Sequence, residues 1–290
     1  MRFENLNLDE ERALYGMRGA EVLSCSFEGP ADGESALKEC SNIRVRDCRF
    51  LLRYPLWHVD GGELSGCVMT DTCRAALWYG KNLRIGNSTL GGIKALRECD
   101  NSVLMDCEID SPEFGWFCRG IQTAGCSIRS EYLFLHSRDL EIYDLTLNGK
   151  YSFQYIENMT IRNSELNTKD AFWHSKNVTV IDSVIRGEYL AWYSENLKLV
   201  RCTIIGTQPL CYAKNLTLED CEMIDCDFSF EKSDVIASVR GTITSVKNPQ
   251  SGSIVADTIG EVILDADQVP ENLCQIQERE PVALGLYRNQ

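Results

Sequence analysis

A 19-residue repeat is the feature that most constrains how this 290-residue chain folds. Steps of 19 residues lead from Cys107 to Cys221 through small or apolar residues, with no insertion or deletion. One more such step joins Cys48 to Cys67, and looser steps of 23 and 21 residues link the other N-terminal turns. A unit this short cannot bury a core alone, so the period predicts one stacked solenoid.

Each repeat predicts three short β-strands separated by bends. In one unit the strands are residues 171–175, 178–181 and 183–185, with apolar residues at every second position of the latter two. The bends carry asparagine, aspartate or glycine, which tolerate a left-handed backbone, and stacked asparagines can bond to one another as a ladder. The pattern therefore predicts an all-β, right-handed parallel β-helix of about 12 triangular coils. The first bend holds Asn42, Asn82, Asn101, Asn158, Asn177, Asn196 and Asn215, with Gly61, Gly120 and Asp139 in the coils between them.

A leucine-rich-repeat solenoid is the structural alternative. The order Ile43, Val45, Cys48 and Phe50 imitates the core pattern of such a repeat. A leucine-rich unit, however, has a helical segment on its convex side, and here that segment would be residues 132–136, which are aromatic and favour strands. The β-helix is the favoured prediction.

The repeats also resemble a known group of proteins. The segments "KNLRIGNSTL", "ENMTIRNSEL", "KNVTVIDSVI" and "ENLKLVRCTI" are similar to the repeats of the pectin-lyase-like right-handed β-helix superfamily. The whole chain resembles a bacterial family within it that is catalogued as a domain of unknown function. The resemblance implies the fold and no particular activity.

The predicted organisation is a single solenoid with closed ends. Residues 1–17 are predicted to be an N-terminal cap, residues 18–264 the β-helix, and residues 265–290 a C-terminal capping tail. Caps are expected because an open β-helix end exposes an unpaired strand edge.

Composition restricts the partners. The chain has 29 basic and 43 acidic residues, a net charge of −14, and no basic run suited to nucleic acid. No segment has the length of a signal peptide or membrane span, which predicts a cytoplasmic protein without a membrane partner. The fourteen cysteines lie mostly in columns shared with serine and alanine, so we expect reduced, buried thiols. No cofactor and no metal site are predicted.

Two neighbouring columns of the repeat are rich in aromatic residues. All five tryptophans share one column, and all three histidines share the next with tyrosines and a phenylalanine. Because the columns preceding the tryptophans are also apolar, the wall is predicted to be apolar on both faces and therefore covered. The predicted binding residues are Trp57, Trp78, Trp116, Trp173, Trp192, His58 and Tyr79.

Three functions are compatible with that wall. The first is a scaffold that self-associates or binds another protein, the cover being a second copy or the tail containing residues 282–287. The second is carbohydrate binding, and the third is a polysaccharide lyase or glycoside hydrolase. Whether the protein is an enzyme is left open, because the uninterrupted coils offer no loops to wall a cleft. The candidate catalytic residues are His136, Tyr155, Asp170, His174 and Tyr193.

Overall fold

The computed structural model describes residues 1–29, 34–269 and 271–280, and these form a parallel β-helix of about 14 coils. The predicted right-handed parallel β-helix with a 19-residue period is confirmed. The coil number exceeds the predicted 12, because both terminal segments contribute strands of their own. In the described residues the one helical element is a short 3₁₀ helix, Asp71–Cys73.

The first wall carries the longer strands, and consecutive ones pair in parallel with a typical offset of 19 residues, as in Val178 opposite Leu197. Its strands are β1 Arg2–Glu4, β3 Glu21–Leu23, β5 Ser41–Arg46, β7 Asp60–Ser65, β9 Arg84–Gly86, β11 Asp100–Met105, β13 Arg119–Ala124, β15 Arg138–Tyr143, β17 Glu157–Arg162, β19 Lys176–Ile181, β21 Glu195–Val200, β23 Leu216–Ile224, β24 Asp234–Arg240, β26 Ser251–Ala256 and β28 Leu273–Glu278.

The second wall consists of shorter strands that follow the second bend. Its strands are β2 Asn7–Leu8, β4 Ser26–Phe27, β6 Arg49–Phe50, β8 Val68–Met69, β10 Thr89–Gly91, β12 Glu108–Asp110, β14 Ser127–Tyr132, β16 Thr146–Lys150, β18 Glu165–Thr168, β20 Val184–Arg186 and β22 Thr203–Ile205. Strand β23 runs through this bend and so belongs to both walls. Strands β25 Thr242–Lys247 and β27 Thr258–Ile263 pair as a separate sheet at the C-terminal end.

The asparagine ladder at the first bend is confirmed. The side-chain amide of Asn177 donates to Asn158 at 3.0 Å, and that of Asn196 donates to Asn177 at 2.8 Å. Asn215 and Asn158 extend the ladder to Asn196 and Asp139. These residues have left-handed backbone angles, which asparagine and aspartate tolerate better than other non-glycine residues.

The third wall is made of turns, and the predicted strand at residues 171–175 is wrong. Asp170, Phe172 and His174 have φ of 51°, 60° and 54°, whereas Ala171 and Trp173 between them have negative φ. A left-handed backbone costs roughly 1–2 kcal/mol per residue other than glycine. Main-chain bonds to both neighbouring coils offset this cost: the amide of Phe172 donates to Ser152 at 3.1 Å, and that of His174 to Trp192 at 3.0 Å.

This alternating backbone changes where the side chains of the third wall point. In a strand, Ala171 and Phe172 would face opposite sides, yet both are fully buried. Pro55 and Leu56, which precede His58 by three and two residues, are buried in the same way. The inference that the wall is apolar on an outer face and needs a cover is therefore wrong, since these columns belong to the interior. Residues 282–287, the tail proposed as that cover, lie outside the described residues.

The core is one continuous apolar column through the described coils. Thirteen of the fourteen cysteines are buried, as expected for small core residues, and all are free thiols. Burial raises the pKa of Cys211 and of Cys226 to about 12, so these thiols stay protonated at neutral pH. The fully buried phenylalanines are Phe27, Phe50, Phe114, Phe134, Phe153, Phe172 and Phe230.

Both predicted end segments contribute additional coils to the stack. Strand β1 lies within the predicted N-terminal cap and pairs in parallel with β3. Strand β28 lies within the predicted C-terminal tail and pairs in parallel with β26. The two segments thus continue the stack, and their capping role remains a prediction.

Candidate functional site

Six rings of the histidine column form one continuous stack, called here the aromatic stack. Adjacent ring centroids are 4.6–5.5 Å apart, and the ring planes are within 16° of parallel. Each inner ring therefore has both faces covered by its neighbours, so that ring edges are what the stack presents to solvent. Phe117, Tyr155 and Tyr193 are 46%, 46% and 48% exposed. The aromatic stack comprises Phe117, His136, Tyr155, His174, Tyr193 and Tyr212.

Two rings predicted as binding residues lie beyond the end of this stack. His58 and Tyr79 stack on each other at 4.7 Å. In the next coil Glu98 takes the ring position and forms an ion pair with Arg97 at 3.4 Å. The histidine column is thus divided into a pair and a stack of six.

The tryptophans are half-buried and hold the third wall together. Each indole Nε1 donates to a backbone oxygen 16–18 residues later, in the next coil. Gln154, in the same column, makes the equivalent bond from its side-chain amide to Asp170 at 2.9 Å. The bonds run from Trp57 to Ala75, Trp78 to Lys94, Trp116 to Tyr132, Trp173 to Tyr189 and Trp192 to Gln208.

The tryptophan faces are also engaged within the protein. Trp57 stacks on Trp78 at 5.1 Å, and Trp173 on Trp192 at 5.4 Å. The Arg97 guanidinium lies 5.1 Å from the ring of Trp78 and 5.4 Å from that of Trp116. This geometry favours a structural role for the tryptophans, and their predicted role in ligand binding remains a prediction.

The candidate catalytic residues are only partly brought together. Four of them, His136, Tyr155, His174 and Tyr193, are members of the aromatic stack. Asp170 lies apart, in the column whose backbone oxygens accept the tryptophan bonds, and no hydrogen bond or ion pair among the described residues joins it to either histidine. Burial raises the pKa of Asp170, and nearby Lys169 opposes the shift. Asp170 is therefore not joined to the other four candidates by a hydrogen bond in the described residues, and the catalytic role of all five remains a prediction.

Beside the aromatic stack lies an open depression of about 540 Å³, called here the stack groove. One side is formed by stack rings and the other by charged residues that begin the first-wall strands. These charged residues were not predicted from the sequence. The lining side chains are Phe117, His136 and Tyr155 with Asp100, Arg119, Arg138 and Glu157.

The charges of the groove break a regular order. The first position of the first wall alternates in sign from coil to coil, except that Arg119 and Arg138 are directly opposite each other in β13 and β15. Arg119 approaches Asp100 at 3.5 Å, whereas Arg138 forms no ion pair with any described residue. The break was visible in the sequence as the column Asp60, Lys81, Asp100, Arg119, Arg138, Glu157, Lys176, Glu195 and Lys214.

Two other hollows, of about 630 and 560 Å³, lie on the outer face of the first wall. In the first of them Arg44 is held between two acids, Glu21 at 3.5 Å and Glu63 at 3.2 Å. The second is lined by ladder residues such as Asn158 and Asn177, whose amides bond to one another. The stack groove differs in combining exposed rings with an arginine that has no ionic partner in the described coils.

A family profile described as "Protein of unknown function (DUF3737)" matches residues 1–277. The chain belongs to this family. The match confirms the resemblance to an uncharacterised family inferred from the repeats. None of the curated proteins compared with the chain matches it.

Solved parallel β-helix structures resemble this DUF3737 protein at low identity. The A-module of mannuronan C-5 epimerase AlgE4 from Azotobacter vinelandii is 11% identical, with a TM-score of 0.41 over 83% of this chain and 89% of that one. A mannuronic acid-specific family 6 polysaccharide lyase from human gut microbiota is 10% identical, with a TM-score of 0.47 over 96% and 86%. The endo-xylogalacturonan hydrolase of Aspergillus tubingensis is 9% identical, with a TM-score of 0.32 over 93% and 84%. These similarities assign no role to any residue of this chain.

Over residues 1–29, 34–269 and 271–280, no three His, Cys, Asp or Glu side chains are grouped so that they could hold a metal ion. Within the same ranges no helix is long and apolar enough to span a membrane.

Proposed function

We propose that this protein binds an oligosaccharide in the stack groove. The proposal rests on one observation. In the stack groove, exposed ring edges lie beside positively charged hydrogen-bond donors and negatively charged acceptors. A sugar offers apolar C–H groups and hydroxyls that both donate and accept hydrogen bonds. The rings of Phe117 and Tyr155 suit the former. The Tyr155 hydroxyl, Arg138, Glu157 and the His136 imidazole suit the latter.

The parallel stacking of the coils also suits an extended ligand. Equivalent residues recur in parallel coils about 4.8 Å apart, so similar contacts repeat along the axis from His136 to His174 and Tyr193. The ring faces are occupied by neighbouring rings, so the ligand would meet edges and polar atoms, and not a flat stacking platform.

Binding is proposed in preference to glycoside hydrolysis. Hydrolysis by paired carboxylates needs two acids roughly 5–9.5 Å apart. The carboxylates of the groove, Asp100 and Glu157, are three coils apart, which corresponds to about 14 Å along the axis. Asp100 is in addition paired with Arg119.

Calorimetric titration with a panel of oligosaccharides tests this function. A ligand found for the wild type should bind at least roughly tenfold more weakly to the double variant His136→Ala, Tyr155→Phe, because two hydrogen-bonding groups are lost. Tyr143→Phe, on the first wall outside the groove, is the matched control and should bind as the wild type does. Absence of binding across the panel, or equal binding by the double variant, would overturn the proposal.

Self-association is a second candidate. It is favoured by the exposure of Phe117, Tyr155 and Tyr193, which together place apolar surface along one edge. Sedimentation of the wild type at several concentrations tests it, with Phe117→Ser and Tyr193→Ser expected to shift the distribution toward the monomer. A monomer independent of concentration would remove this candidate.

A cytoplasmic location remains part of the proposal. Fourteen free thiols suit a reducing compartment, where disulfides are rare. Fractionation of cells, with thiol labelling of the unfolded protein, tests this: extracellular or periplasmic recovery would contradict it.

A further inference from the structure

We propose that Arg119 and Arg138 together bind one anionic group of the ligand, a carboxylate or a sulfate. The inference rests on the oligosaccharide-binding function proposed above and narrows the ligand to an acidic oligosaccharide. It starts from the direct opposition of the two arginines in strands β13 and β15.

Like charges at opposite positions of neighbouring strands destabilise a sheet. The rest of the column avoids this arrangement, because Asp100 faces Arg119, Arg138 faces Glu157, and Glu157 faces Lys176. An anion between the two arginines would turn the unfavourable pair into a favourable one. The one position where the charges of the column fail to alternate is thus the position where a bound anion would offset the repulsion between the two arginines.

The two guanidinium groups are also available. Arg138 is exposed and has no ionic partner among residues 1–29, 34–269 and 271–280. Arg119 has a side-chain exposure of 48% and only a long contact of 3.5 Å with Asp100. A guanidinium presents paired N–H donors that match the two oxygens of a carboxylate or sulfate.

The position of the pair fits the groove. Both arginines line it together with Phe117, His136 and Tyr155. An acid group held by the arginines would therefore leave the sugar ring over the exposed edges of the aromatic stack. On a protein of net charge −14, the two arginines are the positive groups of this groove that can contact an acidic ligand.

Calorimetric titration with oligosaccharides of matched length tests the inference. The probes are a galacturonic acid oligomer, a sulfated neutral oligomer, the unmodified neutral oligomer and inorganic sulfate. We expect the acidic probes to bind at least about tenfold more tightly than the neutral one, as a bidentate charge-assisted contact would give. The better of the carboxylated and sulfated probes identifies the anion.

Variants of the pair assign the effect to these residues. Arg138→Gln and Arg119→Gln should each lose the preference for acidic probes over the neutral oligomer. Arg162→Gln, an exposed arginine of β17 on another part of the first wall, makes the same charge change and should keep the preference. Arg138→Gln should unfold at the wild-type temperature or above it, because it relieves a like-charge pair; a structural arginine would give a lower temperature.

The outcomes separate the inference from the function. Equal affinity for neutral and acidic oligomers would overturn the anion site and leave oligosaccharide binding intact. Binding of sulfate that depends on Arg138, without binding of any oligomer, would support the anion site and overturn the oligosaccharide function. No binding of any probe would overturn both.

Discussion

The indole Nε1 of Trp173 donates a hydrogen bond of 2.6 Å to the backbone oxygen of Tyr189 in the next coil. The equivalent bond from Trp192 to Gln208 measures 2.8 Å. The third wall is built of turns and lacks the continuous main-chain hydrogen bonds of a sheet. Side-chain donors therefore bond to carbonyl groups that the turns leave without a backbone partner. The tryptophan column therefore connects consecutive coils at a corner of the solenoid.

Replacing Trp173 by phenylalanine should lower the free energy of unfolding by about 1–3 kcal/mol, because the ring remains while the donor to Tyr189 is lost. Trp192→Phe should show a similar loss. Chemical denaturation followed by circular dichroism measures both. An unchanged midpoint in both variants would show that these bonds do not hold the coils together.

The asparagine ladder gives a second prediction. Asn177→Leu loses two ladder bonds and places leucine at φ of 54°, so it should destabilise the fold by about 2 kcal/mol or more. Asn177→Gly loses the same bonds but accepts the backbone angle, so the difference between the variants measures the strain. Thermal unfolding that places the leucine variant at or above the wild type would contradict the ladder.

Close approach of two coils makes Gly187 a position where a side chain cannot fit. A Cβ there would collide with the backbone oxygen of Thr168, and φ is +156°. Gly187→Ala should therefore reduce soluble yield and thermal stability more than Gly241→Ala. Gly241 has φ of +75° and open space around it, so it controls for backbone strain alone. Equal effects in a thermal melt would show that the contact is not limiting.

Much of this architecture follows from local chemistry. The bends could be predicted because Asn, Asp and Gly tolerate left-handed angles, and the inner columns because Val178 and Val180 alternate with polar residues. The backbone of the third wall could not be predicted in this way. Phe172 and His174 adopt left-handed angles that their own preferences oppose, and bonds to neighbouring coils impose them.

The site was predicted in part for a related reason. The histidine column was recognised from its rings, and four of the candidate catalytic residues do lie together. The groove was missed because Arg119 and Arg138 carry no motif, and only their opposition across two coils marks them. Asp170 was grouped with the histidines because the wall was taken for a strand, and in the structure no hydrogen bond or ion pair among the described residues joins it to them.

One phenol at the end of the aromatic stack gives a prediction about pH. Burial, with the Glu231 carboxylate close by, raises the pKa of Tyr212 to about 12. The unfolded phenol titrates near 10, so its contribution to stability is complete below pH 10 and is lost as the pH rises toward 12. Across this pH interval the free energy of unfolding should therefore fall less for Tyr212→Phe than for the wild type.

The charge of Glu231 can be separated from burial. Glu231→Gln should lower the pKa of Tyr212 in an ultraviolet titration, because the carboxylate that opposes phenolate formation is gone. Identical titrations of the wild type and this variant would exclude the Glu231 charge as a cause of the raised pKa.

The most direct test compares two sets of variants for oligosaccharide binding by calorimetry. Trp173→Phe with Trp192→Phe alters the tryptophan column, whereas His136→Ala with Arg138→Gln alters the stack groove. The account predicts that the tryptophan variant loses stability but, while folded, binds as the wild type does, and that the groove variant stays folded and no longer binds. Loss of binding in the tryptophan variant, with full binding in the groove variant, would contradict it.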